Sequence, residues 1–275
     1  MTRTVSVALI TKNEEANLRR TLESVRWASE IVIVDSGSTD GTAEVAREFG
    51  AKFLVEPWHG FGAQKNFAIV QCTGEWVLSL DADEEVSPEL GQEIQALLSG
   101  SPDAEGYFVP RRNFFLGRWI RRGGHSPDPK LRLFRRGAAQ FEERAVHETM
   151  QCSGRTGRLR GSLLHHAYPT LESYIEHMNR YSTLGAGQVL ARGRGRRGLV
   201  SFLWNVVVTP AATFLYNYVL RAGFLDGREG LLLHLYHSAY VSWKYAKAWE
   251  LRAGTSKKMG YGAEAAEKNS HRVGD

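Results

Sequence analysis

IVIVDSGSTDG, residues 31–41, is a short apolar, β-branched run that stops at a carboxylate, Asp35, and passes into a Ser/Gly/Thr/Asp turn. Such a run reads as a buried strand, and the residues after the turn, to about Phe49, read as a helix. The unit before it has the same order. Residues 4–11 (TVSVALIT) form a strand, and Asn13 offers an N-cap ahead of Glu14 and Glu15 for a helix reaching about Trp27. Going the other way, a strand is expected at 51–55, a helix at 61–71, a strand at 75–80, and a helix from Ser87-Pro88 to about Leu98 in the cap-then-proline order. Alternation of apolar strands with helices predicts an α/β fold: a mainly parallel sheet flanked by helices, with ligands at the carboxyl ends of the strands.

Trp76–Glu85 (WVLSLDADEE) delivers two carboxylates, Asp81 and Asp83, at the end of one of these strands. Mg²⁺ and Mn²⁺ prefer oxygen ligands and are commonly shared between one or two carboxylates and substrate phosphates. Asp-x-Asp by itself turns up about once by chance in a chain of this size, and a solvated acidic loop is the competing reading. Asp35 can accept hydrogen bonds from a base or ribose, or serve only its own turn. In Gly60–Asn66 (GFGAQKN), Lys65 can reach a phosphate and Asn66 a polar edge, or the stretch is simply a helix start.

In order, VSVALITKNEE, IVIVDSGSTDGT, GFGAQKN and LSLDADEE resemble the inverting family-2 glycosyltransferases of the GT-A-type fold. The resemblance covers about the first hundred residues. It implies that Thr11, Asp35, Lys65, Asn66 and Asp81 line the nucleotide-sugar site and that Asp81 and Asp83 form a motif for Mg²⁺ or Mn²⁺. It further implies that His165 completes the metal site, with His166 competing for that alignment and a structural strand-end histidine as the alternative. The later stretches DPKLRLFR (128–135) and AVHE (145–148) look like the branch containing lipopolysaccharide-core β-glucosyltransferases. There Glu148 takes the position of the catalytic base, a role that inversion at an anomeric carbon requires of some carboxylate; pairing with Arg144 or Arg135 is the alternative. The implied activity moves a hexose, glucose from UDP-glucose, to a lipopolysaccharide-core or other lipid-linked glycan acceptor. A polyprenyl-phosphate glycosyltransferase is the neighbouring reading. A non-catalytic basic module for membrane or RNA is the reading from another class, although no RNA-binding signature is present and no nucleic acid partner is expected.

The net charge of +5 hides an asymmetry: residues 1–100 carry 8 Lys/Arg against 16 Asp/Glu, and the remainder 27 against 14. The acidic part suits a carboxylate-built site and the basic part suits phosphate-rich partners. Nine Lys/Arg fall between Arg111 and Arg136, either a solvated face or a contact for acceptor or donor phosphate. Cys72 and Cys152 read as buried thiols rather than as a bridge or metal ligands.

Residues 198–220 hold no charge and are long enough to span a bilayer. However, Ser201, Asn205, Thr209, Thr213 and Asn217 form a polar stripe and Pro210 interrupts the middle. A helix against protein or in the lipid interface is therefore expected. The stretch 231–249 is expected to carry His234, His237 and Lys244 on a polar side and Leu235, Tyr236, Tyr240 and Trp243 on an apolar or interfacial side. Arginines at 192, 194, 196 and 197 suit anionic headgroups. The expected organisation is a glycosyltransferase domain at 1–168, a membrane-associated helical region at 169–253 and a disordered tail at 254–275. With no leader pattern at Met1, the expected location is cytoplasmic, peripheral to the inner face of the cytoplasmic membrane.

Overall fold

The computed structural model describes residues 3–142, 149–191 and 198–254. Two compact units make up the chain. The first runs to Arg111 and resumes at Asp128–His165; the second comprises Arg112–Pro127 and the described residues from His166 onward.

In the first unit, β1 (Val5–Thr11), β2 (Glu30–Asp35), β3 (Lys52–Val55) and β4 (Trp76–Asp81) alternate with α1 (Glu15–Ser24), α2 (Thr42–Glu48) and α3 (Phe61–Val70). The strands lie in the order β3-β2-β1-β4 and all pair in parallel. Beyond β4 the sheet continues antiparallel through β8 (Pro129–Arg135) to β6 (Gly106–Phe115). After β4 come β5 (Glu84–Val86), which pairs antiparallel with β12 (Leu163–Tyr168), and α4 (Pro88–Ser99). β9 (Ala139–Phe141) and β10 (Met150–Cys152) form a separate ribbon.

Successive side chains of a strand point to opposite faces, and here both faces are buried. Val7 and Leu9 of β1, Ile33 of β2 and Leu78 and Leu80 of β4 join α1, α2 and α4 in one core. Ala8, Val32, Val34 and Val77 join α3 in the other. This explains why the strands read as unbroken apolar runs. Ser87 caps α4, its Oγ accepting from the N–H of Leu90 at 3.2 Å with Pro88 at the first helical position, as expected. Asn13 does not cap α1. It adopts a left-handed φ of 56°, and its Oδ1 accepts from the N–H of Thr39 at 2.8 Å, tying the loop after β1 to the loop after β2.

In the second unit, β7 (Arg118–Trp119) turns back on the end of β6. Three helices follow: α5 (Leu171–Ala191), Leu199–Leu220, and Gly227–Ala253, the last preceded by a 3₁₀ turn at Gly223–Asp226. Leu199–Leu220 is long and apolar enough to cross a membrane, yet only 6% of its most apolar window is buried within the protein. Pro210 does not break it. Pro210 has no N–H to give the carbonyl of Val206, and Ser242 of the last helix supplies that hydrogen bond at 2.8 Å. The polar stripe is turned inward on the helix's own backbone: Asn205 Nδ2 donates to the Ser201 carbonyl and Thr213 Oγ1 to the Thr209 carbonyl, both at 2.8 Å. On the last helix His234, expected on a polar side, is buried, while Leu231 and Leu235 are exposed. Arginines 192, 194, 196 and 197 and the tail from 255 lie outside the described residues.

Candidate active site

Parallel register carries the three strand ends to one edge of the sheet. Thr11 stands beside Asp35 and Ile10 beside Asp81. Asp35 is buried, and its carboxylate accepts from the N–H groups of Gly37 and Ser38 (2.8 and 2.7 Å), from Thr11 Oγ1 (2.9 Å) and from Ser38 Oγ. Those four contacts fill a carboxylate's acceptor positions, so Asp35 holds the loop after β2 in shape. A nucleoside could reach it only if a neighbouring hydroxyl turned away.

Asp81 lies between two cations. Lys65, projecting from α3, brings Nζ to 2.6 Å from Oδ1, and Arg132, on β8, brings Nη2 to 2.6 Å from Oδ2. Burial works against the Asp81 charge, but Arg132 and then Lys65 outweigh it and hold the carboxyl well below the usual carboxylate range. The same Arg132 nitrogen lies 2.7 Å from Oε1 of Glu84, a fully buried side chain that also accepts from the Asp81 N–H at 3.0 Å and sits 3.3 Å from Arg111 Nη1. Arg111 in turn pairs with Asp128 at 2.8 Å. Burial disfavours the Arg132 guanidinium, and Asp81 and Glu84 more than restore its charge. The motifs do not single out Glu84. Arg111 and Arg132 belong to the basic run 111–136 read as a solvated face or a phosphate contact, and here both pair with carboxylates instead. The available signal was a lone arginine inside the apolar run of KLRLF, a position where an unpaired charge is prohibitively costly.

Asp83 forms an ion pair of its own beside this network. Its Oδ2 is 3.2 Å from Nε2 of His165. Burial pushes the Asp83 carboxyl up, but the adjacent imidazole holds it below its ordinary value; burial pushes His165 down, and Asp83 raises it above the ordinary value. Among the described residues no three His, Cys, Asp or Glu side chains form a metal-holding group. An imidazole nitrogen and a carboxylate oxygen at this separation are a two-ligand set, which fits a cation that takes its remaining ligands from phosphate oxygens and water. Asp81, engaged by two buried cations, fits the role of metal ligand less well than Asp83.

His166 does not compete for that position: it stacks on Phe114 in the second unit. Asn66 has a different task from the one expected. Its amide donates to the Phe141 carbonyl at 2.9 Å and accepts from the Phe141 N–H at 2.8 Å, pairing with β9 as a neighbouring backbone would. Glu148 lies outside the described residues. Cys72 is buried as expected, whereas Cys152 is only half-buried.

The profile of the family described as Glycosyl transferase family 2 matches residues 6–165, which contain every strand end just described. The chain belongs to glycosyltransferase family 2. It is similar to the lipopolysaccharide core biosynthesis glycosyltransferase LpsC of Rhizobium meliloti, with 34% identity over 261 residues spanning 90% of this chain and 93% of that one. An uncharacterized glycosyltransferase of Rickettsia typhi is 29% identical over 83% of this chain and 80% of its own. Among solved structures, S. aureus TarS 1-349 in complex with UDP is 17% identical, with 91% and 92% of the two chains covered and a TM-score of 0.47. Glucosyl-3-phosphoglycerate synthase from Mycobacterium tuberculosis, in complex with Mn²⁺, UDP and glucosyl-3-phosphoglycerate, is 26% identical over 41% of this chain and 44% of that one, with a TM-score of 0.32. The family match and the strand pairing together give the A-type architecture expected of the sequence: the parallel strands β3-β2-β1-β4, continued antiparallel by β8 and β6, flanked by helices and followed in the chain by a helical region. Family membership displaces the reading as a non-catalytic basic module.

Proposed function

We propose that this glycosyltransferase transfers a hexose with inversion, glucose from UDP-glucose, to a lipopolysaccharide-core or other lipid-linked glycan, with Mg²⁺ or Mn²⁺ at Asp83 and His165. The observation that carries the reading is the alignment of the ends of β1, β2 and β4, which gathers Thr11, Asp35, Lys65 and the Asp81–Asp83 pair at one edge. A bound cation supplies charge neutralisation at the leaving diphosphate. Lys65, buried and already turned toward this edge, adds positive charge near the same phosphates. Glu148 takes the proton from the acceptor hydroxyl as its oxygen bonds to the anomeric carbon. The bond from that carbon to the diphosphate breaks on the opposite side and UDP leaves. The resemblance supports Glu148 in this role, and the name of the Rhizobium relative supports the acceptor class.

The enzyme works at the inner face of the cytoplasmic membrane. This is supported by the exposed apolar side chains of the helix Leu199–Leu220, among them Leu203, Trp204, Val207 and Leu215, and by the internal satisfaction of that helix's polar groups, which an apolar medium demands.

The test is thermal stabilisation by UDP, GDP, CDP and ADP, with and without Mn²⁺, for the wild type and Asp83→Ala. A Mn²⁺-dependent shift with UDP, absent in Asp83→Ala, is expected. A folded protein that responds to no nucleotide would sink the donor-site reading.

A further inference from the structure

A crevice of about 460 Å³ in the second unit is lined by Arg118, Trp119, Arg121, Arg122, Leu225 and Asp226. Its wall is built rather than incidental. Asp226 is buried, and Oδ2 accepts from the N–H groups of Arg121 (3.1 Å) and Arg122 (2.8 Å), so it fixes the backbone from which these two side chains project. The guanidinium of Arg121 lies 4.1 Å from the Trp119 ring centroid and that of Arg112 lies 4.6 Å from it, which orients them by cation–π attraction. The other acid at hand, Glu229, stands 3.7 Å from Arg118. Three arginines thus face one crevice against the two carboxylates of Asp226 and Glu229, which leaves the positive charge in excess, and guanidinium suits phosphate oxygens.

Exposed apolar side chains adjoin the lining of the crevice in the chain. Leu225, one of its lining residues, is 56% exposed, Phe224 is 49% exposed and Leu220, at the end of the apolar helix, is 77% exposed. A ligand seated on the arginines therefore meets the exposed Leu225, which follows the exposed end of Leu199–Leu220 after a short turn that carries one more exposed cation, Arg221. A hydrophilic phosphate ester gains nothing from that surface, whereas a phosphate carried on acyl chains matches both parts.

We propose that the Arg118–Arg121–Arg122 crevice binds the phosphate headgroup of an anionic bilayer lipid, so that the apolar helix and the crevice engage the membrane together. This inference rests on the membrane-surface part of the proposed function and adds to it a defined headgroup site.

The experiment is co-sedimentation of the full chain with vesicles of phosphatidylcholine alone and of phosphatidylcholine containing phosphatidylglycerol. The wild type is compared with Arg118→Gln/Arg121→Gln/Arg122→Gln, with Arg122→Gln alone, and with a charge-matched control, Arg19→Gln/Arg26→Gln/Arg47→Gln, all verified as folded by thermal melting. The wild type should bind the anionic vesicles more tightly than the neutral ones. The triple variant should lose roughly 100-fold of that affinity and the single variant about fivefold, at about 1 kcal/mol per basic residue at a membrane surface, while the control changes little and binding to neutral vesicles is unaltered throughout. Wild-type binding that ignores phosphatidylglycerol, or an equal loss in the control, overturns the headgroup site and leaves the membrane reading standing. Binding to neither vesicle overturns both. Stabilisation of the wild type, and not of the triple variant, by inorganic phosphate without any preference for anionic vesicles would assign the crevice to a soluble phosphate ester and overturn the proposal.

Discussion

His165 and Asp83 meet, Nε2 to Oδ2 at 3.2 Å, because β12 pairs antiparallel with β5 and sets His165 opposite Glu84, the residue after Asp83. If this pair is the protein's share of the metal site, His165→Ala should leave the fold intact and raise the Mn²⁺ concentration needed for UDP-dependent thermal stabilisation by roughly 10–100-fold. An unchanged Mn²⁺ titration would remove His165 from the metal site.

Arg132 pairs with both Asp81 and Glu84. Arg132→Met leaves Asp81 to Lys65 alone and the fully buried Glu84 to Arg111 alone, and should cost about 3 kcal/mol in urea unfolding, the low end for breaking a buried pair because each carboxylate keeps one partner. Arg132→Lys keeps the charge and should recover part of that loss. A loss below about 1 kcal/mol for the methionine variant would mean that the network adjusts without its centre.

Ser242 supplies the hydrogen bond that Pro210 cannot return to the Val206 carbonyl. Ser242→Ala should lower the stability of the helical unit by about 1–2 kcal/mol, and Ser242→Ala combined with Pro210→Ala should recover much of it, because the restored N–H serves the same carbonyl. Strictly additive losses in the double variant would argue against this coupling.

His237 titrates abnormally. Burial, together with the neighbouring His234 and Lys244, pushes it down to about 4 from an ordinary 6.5. Between those values the unfolded chain binds a proton that the folded chain does not, so stability falls as pH drops through 6.5 toward 4. Circular-dichroism melts should show Tm declining over this range, and His237→Gln should make the decline shallower. His165, raised above its ordinary value of 6.5, contributes stability that is fully present below 6.5 and is lost as pH rises through its raised folded value, so its pH dependence lies above this window. The comparison of wild type with variant, rather than the wild-type profile alone, isolates His237.

Much of the first unit is legible in the chain, since each of β1, β2 and β4 is an apolar run ended by a turn signal and each is buried on both faces. The strand ends at Thr11, Asp35 and Asp81 were readable for the same reason. Arg132 was not readable as the partner of Asp81, because the pairing depends on β8 being laid antiparallel against β4, an order that neither stretch encodes locally. Asn13, expected as a cap, and the Asn66 pairing with β9 were hidden in the same way. Their side chains satisfy backbone groups of segments distant in the sequence, and local pattern reports only that a polar group is present.

The sequence by itself determined the alternation of strand and helix, the carboxylates at the sheet edge and the length of the apolar helix, because each follows from periodicity and local capping. Only the tertiary structure decided that Asp81 is spent on Lys65 and Arg132, that Asp83 turns to His165, and that His234 packs inward while Leu231 and Leu235 face out. A charge or an apolar side chain takes its role from what lies within a few ångströms, and the packing of distant segments sets those neighbours.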